Sequence, residues 1–212
     1  MRITTEDYIE YLENVAKRIN ENKDYITKLD ATTGDGDHWV NMNMGFSKIL
    51  DSKDELKNLS IKELLKKIGM IMMSTVGGSS GVLYGGAYIN ASKKLGDVDF
   101  LNEEGILILL EAISEAIMSR GKVEFGNKTM LDSLYPAVET YKQKLNEKVS
   151  YEELLEAAEN SSKNGMQETK NMKATKGRAS YRNDKGVGHL DPGAVTMYYQ
   201  ISELVQFLKS KI

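Results

Sequence analysis

A helical period runs through nearly the whole chain, and proline interrupts it at only two positions, Pro136 and Pro192. Residues 5–20 place Tyr8, Ile9, Leu12, Val15 and Ile19 three and four apart, the spacing that gathers side chains on one face of an α-helix. Ser60 with Glu63 spells a capping box ahead of Ile61, Leu64, Leu65, Ile68 and Met72. Ser150 with Glu153 repeats that signature before Leu154, Leu155 and Ala158. Asp191-Pro192 reads as an N-cap followed by a first-turn proline, opening a helix through Val195, Tyr198, Tyr199, Ile201, Leu204 and Leu208. Helical stretches also fit about 38–50, 79–93, 103–119 and 130–146, which makes eight, and no segment sustains period-two alternation. This pattern predicts an all-α fold in a single domain, 1–212.

Bulk properties remove several function classes. Net charge is −3, with lysines and acids interspersed and no basic stripe, so a nucleic-acid partner is not expected. The absence of cysteine excludes disulfides, thiolate metal sites and a cysteine nucleophile. The segment "MRITTEDYIEYLENV" has no signal-peptide core. No apolar run approaches the roughly 18 residues of a membrane span. A cytoplasmic location without membrane contact is the expectation.

The densest chemistry lies in "LDATTGDGDHWVNMNMGF", residues 29–46, where Asp30, Asp35 and Asp37 are interleaved with glycine and followed by His38 and Asn41. Carboxylates that converge repel one another unless positive charge stands among them. Magnesium takes oxygen ligands and keeps room for substrate phosphates, so the loop reads as a magnesium site. The competing reading is a solvated acidic turn that caps the helix starting near His38. An EF-hand is excluded, because the twelfth position from Asp30 is Asn41 and not the bidentate glutamate.

Two further segments carry anion-binding chemistry. "VGGSSGVLYGG", 76–86, offers backbone N–H groups and the hydroxyls of Ser79 and Ser80 at a helix start. Gly85 and Gly86 fit better as points of close helix packing. "GKVEFGNKTM", 121–130, nearly spells a phosphate-binding loop, but Asn127 displaces the lysine and a helix precedes it, so that motif is rejected. The segment still suits a nucleotide's border, with Met130 as an apolar contact. The aperiodic stretch 171–190 carries Arg178, whose planar fork suits phosphate. A loop this long is more often functional than idle.

Taken together, "GDGDHWVNMNMGF", "GGSSG", "GNKTMLDSLYPA", "ATKGRASY" and "HLDPGA" resemble, in order and spacing, the nucleotide-binding L subunit of bacterial phosphotransferase-dependent dihydroxyacetone kinase. The resemblance implies a barrel of eight antiparallel helices with the nucleotide, ADP or ATP, at one end. It implies that Asp30, Asp35 and Asp37 ligate two magnesium ions and act in catalysis through them. His38 and Asn41, with Trp39 and Val40 between them, would be nucleotide contacts. Ser79 and Ser80 would lie on the phosphate side, and Gly121 and Met130 would border the adenine. Arg178 would reach in from the long loop, and Asp191, Pro192 and Gly193 would close the ring. The implied partners are a K subunit holding dihydroxyacetone and an M subunit that recharges ADP. Trp39 and Val40 stand where relatives have small residues, Met44 replaces a common arginine and Asn127 a common aspartate. These departures open two other readings, a kinase of the same fold for a different acceptor and a nucleotide-loaded module that signals to a transcriptional regulator.

Overall fold

The computed structural model describes residues 1–212, and ten α-helices with one short 3-10 turn account for its regular structure. They are α1 (Thr5–Glu21), α2 (Lys23–Thr33), α3 (His38–Asp51), α4 (Lys53–Leu56), α5 (Ile61–Thr75), α6 (Gly78–Leu95), α7 (Glu103–Gly121), α8 (Leu131–Glu147), α9 (Tyr151–Glu168) and α10 (Pro192–Lys209). The 3-10 turn is Arg178–Tyr181. The sole β-type pairing is an isolated bridge between Ile3 and Leu101. No helix is long and apolar enough to cross a membrane.

Local chemistry at the helix ends follows the sequence. Ser60 and Glu63 form both halves of the capping box. Thr4 and Asp7 form another at α1. Asp191 accepts the Ala194 N–H at 2.7 Å, with Pro192 in the first turn of α10. Each satisfied end contributes about 1 kcal/mol.

Eight of the ten helices are those the periodicity indicates, and the other two were not legible. In α2 only Ile26, Asp30 and Thr33 are buried, too sparse a stripe to register as a helical period. α4 spans 4 residues. The consequence of α2 is functional, because Asp30 stands on the last turn of a helix and not in an open loop.

The eight longer helices pack as a closed ring, in the order α1, α3, α5, α6, α7, α8, α9, α10 and back to α1, with α8 also touching α10. Contacts across neighbours run with opposed numbering. Gly69 and Met72 of α5 face Gly85 and Gly81 of α6. Ser133 and Thr140 of α8 bond Ser162 and Ser161 of α9. Asn90 donates to the Ala112 carbonyl between α6 and α7. Inside lies one core of 46 buried residues, including Leu12, Phe46, Leu64, Tyr84, Leu134 and Leu204. Antiparallel packing sets alternate helix ends side by side, so one rim of the ring collects the starts of α3, α6, α8 and α10.

α5 and α6 approach closely because Gly69 and Gly85 oppose each other. A Cβ on either would stand 2.6–2.7 Å from the other's carbonyl oxygen. Both walls are backbone and cannot yield as a side chain would. Gly85→Ala is therefore expected to destabilise the chain by about 1–3 kcal/mol, despite roughly 1 kcal/mol of helix propensity gained. Urea unfolding with an unchanged m-value checks this, and an unchanged or raised midpoint counts against the packing account.

Candidate functional site

The three aspartates converge on the rim. Asp30 is buried on the last turn of α2, while Asp35 and Asp37 lie on the connection to α3, and one carboxylate oxygen from each falls within 4.8 Å of the others. Two glycines make that possible. A Cβ on Gly34 would stand 2.5 Å from Asp30 Oδ1, and Gly36 turns the chain with φ +79°, a region that favours glycine.

Hydrogen bonds and charge hold the cluster. The His38 N–H, at the start of α3, donates to Asp30 Oδ2 at 3.0 Å, placing negative charge at a positive helix end. Arg178 reaches over from the 3-10 turn, its guanidinium 2.5 Å from Asp35 and 3.8 Å from Asp37. The repulsion that the sequence alone assigned to a metal is thus offset in part by an arginine. Even so, burial pushes the Asp37 carboxyl pKa up, reinforced by the charges of Asp35 and Asp30 and opposed by the Asn41 hydrogen bond and Arg178. The buried His38 ring has its Nε2 2.9 Å from the Thr196 hydroxyl. Burial lowers its pKa, against the pull of Asp30, which favours the neutral imidazole.

A cavity of about 540 Å³ opens beside the cluster. Asp30, Asp35, Asp37, His38, Ser79, Ser80 and Arg178 line its polar part, and Gly121, Met130, Asp191, Pro192 and Gly193 also border it. Val82, Leu83, Ile117 and Val123 give it an apolar wall. Its size suits a ligand larger than a metabolite fragment.

Trp39, Val40 and Asn41, on the first turn of α3 after His38, are not among the residues that line the cavity. A helix turns about 100° per residue, so His38 faces inward while the next two residues rotate away. Trp39 packs against the core beneath Lys23, whose ammonium is 4.6 Å from the ring centroid, and its indole N–H is buried without a partner. Val40 is exposed. The Asn41 backbone N–H donates to the Asp37 carbonyl at 3.0 Å, and its carboxamide oxygen fills the space beside Gly77. Met44 and Asn127 likewise do not line the cavity.

Several cavity residues escaped the sequence reading, among them Thr33, Arg120, Lys128, Thr129 and Lys176. Lys128 and Thr129 carried a signal as part of the rejected phosphate-loop pattern, and Lys176 as one of the cations of the aperiodic stretch, whereas Thr33 and Arg120 carried none. The Lys128 ammonium donates to the backbone carbonyls of Thr169 and His189. Next to it, Asp132 is fully buried and accepts the N–H groups of Gly126 and Thr129 at 2.5 and 2.6 Å. Gly86 is spaced for packing as expected, leaving room for the Arg120 side chain.

A family model, the DAK2 domain, matches residues 32–206. The chain belongs to the DAK2 domain family. This DAK2 domain is 40% identical over 186 residues to "PEP-dependent dihydroxyacetone kinase 1, ADP-binding subunit DhaL" of Listeria innocua, covering 88% of each chain. It is 34% identical over 204 residues to the "PEP-dependent dihydroxyacetone kinase, ADP-binding subunit DhaL" of Escherichia coli, covering 96% of this chain and 97% of that one. Its fold matches the dihydroxyacetone kinase of C. freundii with a TM-score of 0.72 at 23% identity, over 93% of this chain and 34% of the kinase. A second structure of that kinase, in complex with AMP-PNP and Mg2+, matches with a TM-score of 0.71 at the same identity.

Protein packed around Asp191 raises its carboxyl pKa to about 7, an effect that the Ala194 N–H and the Lys128 charge only partly oppose. In the unfolded chain the group titrates near 3.9. Between these values the native state keeps a proton that the unfolded chain has released. The resulting stability is complete below about pH 4 and is lost as pH rises to about 7. Asp191→Asn should remove this dependence. Urea unfolding at pH 5 and pH 8 should show the wild type losing about 1–3 kcal/mol more than the variant; equal losses would refute the assignment.

Proposed function

We propose that this DAK2 domain is the ADP-binding subunit of a PEP-dependent dihydroxyacetone kinase. It carries Mg-ADP or Mg-ATP and passes the γ-phosphoryl group to dihydroxyacetone held on a separate K subunit. An M subunit of the phosphotransferase system then recharges the bound ADP. The observation that carries this is the meeting of Asp30, Asp35 and Asp37 at the polar end of one cavity. Near-full-length similarity to two ADP-binding subunits supports it.

The donor set fits hard dications, because it offers only carboxylate oxygen and clusters it within 4.8 Å. Asp30, Asp35 and Asp37 would hold two magnesium ions, which supply charge neutralisation to a phosphoryl group in transfer. The remaining work is positioning by the chain's own residues. The His38 N–H orients Asp30, and the neutral His38 ring adds no charge to compete for the carboxylates. Ser79, Ser80 and the first N–H groups of α6 suit phosphate oxygens. Leu83, Gly121, Val123 and Met130, which border the cavity, would form the slot for a base. Arg178, which already stands on Asp35 and Asp37, is placed to meet a phosphate arriving between them. No side-chain nucleophile is required, because transfer is direct between bound donor and acceptor.

A second reading keeps the nucleotide and changes the acceptor. Val40 and Met44, one turn apart on α3, are both exposed, and the resemblance implies other residues at these positions. A relative 26% identical over 199 residues is "L-erythrulose 1-kinase" of Mycolicibacterium smegmatis, of which this chain spans 34%. A panel of ketoses presented with matched K subunits separates the two readings. Binding to a regulatory protein that depends on whether ADP or ATP is loaded would add the signalling role.

Gently purified chain should carry one adenine nucleotide with magnesium in native mass spectrometry. Reconstitution with K and M subunits and phosphoenolpyruvate should give phosphoryl transfer. Asp30→Asn, Asp35→Asn and Asp37→Asn should each reduce it by at least about a hundredfold. Full activity in any one of them would remove the metal role.

A further inference from the structure

Lys128 combines two costly features. It is 2% exposed, and it takes the left-handed backbone conformation with φ 60°. No ion pair in the chain includes it, and burial depresses its pKa against the nearby charges of Asp191, Asp132 and Asp184. Its compensation is a pair of charge-assisted bonds from the ammonium to the carbonyls of Thr169 and His189.

Those two carbonyls are the ends of one loop. Thr169 caps α9, and His189 lies just ahead of Asp191 and α10. Between them runs the segment that carries Arg178. Lys128 also touches the loop's interior. A Cβ on Gly186 would stand 3.0 Å from Lys128 Cε and 3.3 Å from the Ala179 Cβ. The lysine stem, Gly186 and the neighbour of Arg178 are therefore stacked. Next door, the Thr175 N–H donates to the Asn127 carbonyl at 3.4 Å. A bridge between two carbonyls needs a group with at least two N–H donors, which an ammonium has and an apolar side chain lacks.

We propose that Lys128 is a positioning residue for Arg178: its ammonium, together with the Gly188 N–H bond to the Lys170 carbonyl and the Asp191 N–H bond to the Thr169 hydroxyl, closes the neck of the 170–188 loop and thereby sets where the guanidinium stands over Asp35 and Asp37. The turn that borders the apolar part of the cavity is then tied mechanically to the charged part. Lys128 acts through the loop and not as a phosphate ligand of its own.

A double-mutant cycle of Lys128→Met and Arg178→Gln in the full chain tests this, with two readouts. Amide hydrogen exchange across 171–188, without nucleotide, should rise when Lys128 is lost in either background. ADP release rests on the nucleotide reading. It should accelerate about tenfold or more in Lys128→Met alone, but change less than about twofold when Arg178 is already Gln. Equal acceleration in both backgrounds means direct contact with the ligand and overturns the proposal, as does unchanged exchange. A wild type that binds no ADP refutes the nucleotide reading and leaves the clamp to be judged on exchange. Should Lys128→Met not fold, Lys128→Ser, whose side chain has a single short donor and cannot span the two carbonyls, carries the same cycle.

Discussion

Three carboxylates with oxygens inside 4.8 Å of one another repel with an energy of about 1–4 kcal/mol per pair, depending on how much water screens them. The rest of the site is arranged around that repulsion. A helix start points its N–H at Asp30. A long loop folds back so that one arginine rests on Asp35 and Asp37. Glycines stand at 34 and 36, where any side chain would collide with Asp30 or strain the turn. The arginine is exposed, so its bond adds little to folding stability. Its role is local neutrality at a place where charge is needed for binding.

The ring of helices makes such a place cheaply. Antiparallel neighbours bring helix starts together on one rim, where the first backbone N–H groups have no partner within their own helix. Side chains from helix ends, such as Asp30, His38 and Ser79, meet there with others carried on connections, such as Asp35 and Arg178. The core beneath is continuous, so the rim rests on a rigid base.

Most of the site's polar residues were legible because their chemistry is local. Asp35 and Asp37 with intervening glycine, Ser79-Ser80 at a helix start, and Asp191-Pro192 as a cap each announce themselves within a few residues. How Trp39 and Val40 face relative to His38 was not legible, because on a helix each successive residue turns by about 100°. The apolar wall from Leu83, Ile117 and Val123 gave no signal, since such residues look alike in a core and in a pocket. Lys128 was hidden for the opposite reason: its partners are backbone carbonyls, which every residue has.

Period, caps and the scarcity of proline determined from sequence alone that the chain is all helical, and the spacing of acid and glycine determined which loop would carry charge. Those properties depend on residues within a turn or two of each other. Which carboxylates share a point, that an arginine from 141 to 148 positions further on joins them, and which faces of α3 look inward were decided only by the closed packing of the ring. Distances between remote segments follow from the sum of all helix contacts, and no local pattern contains that sum.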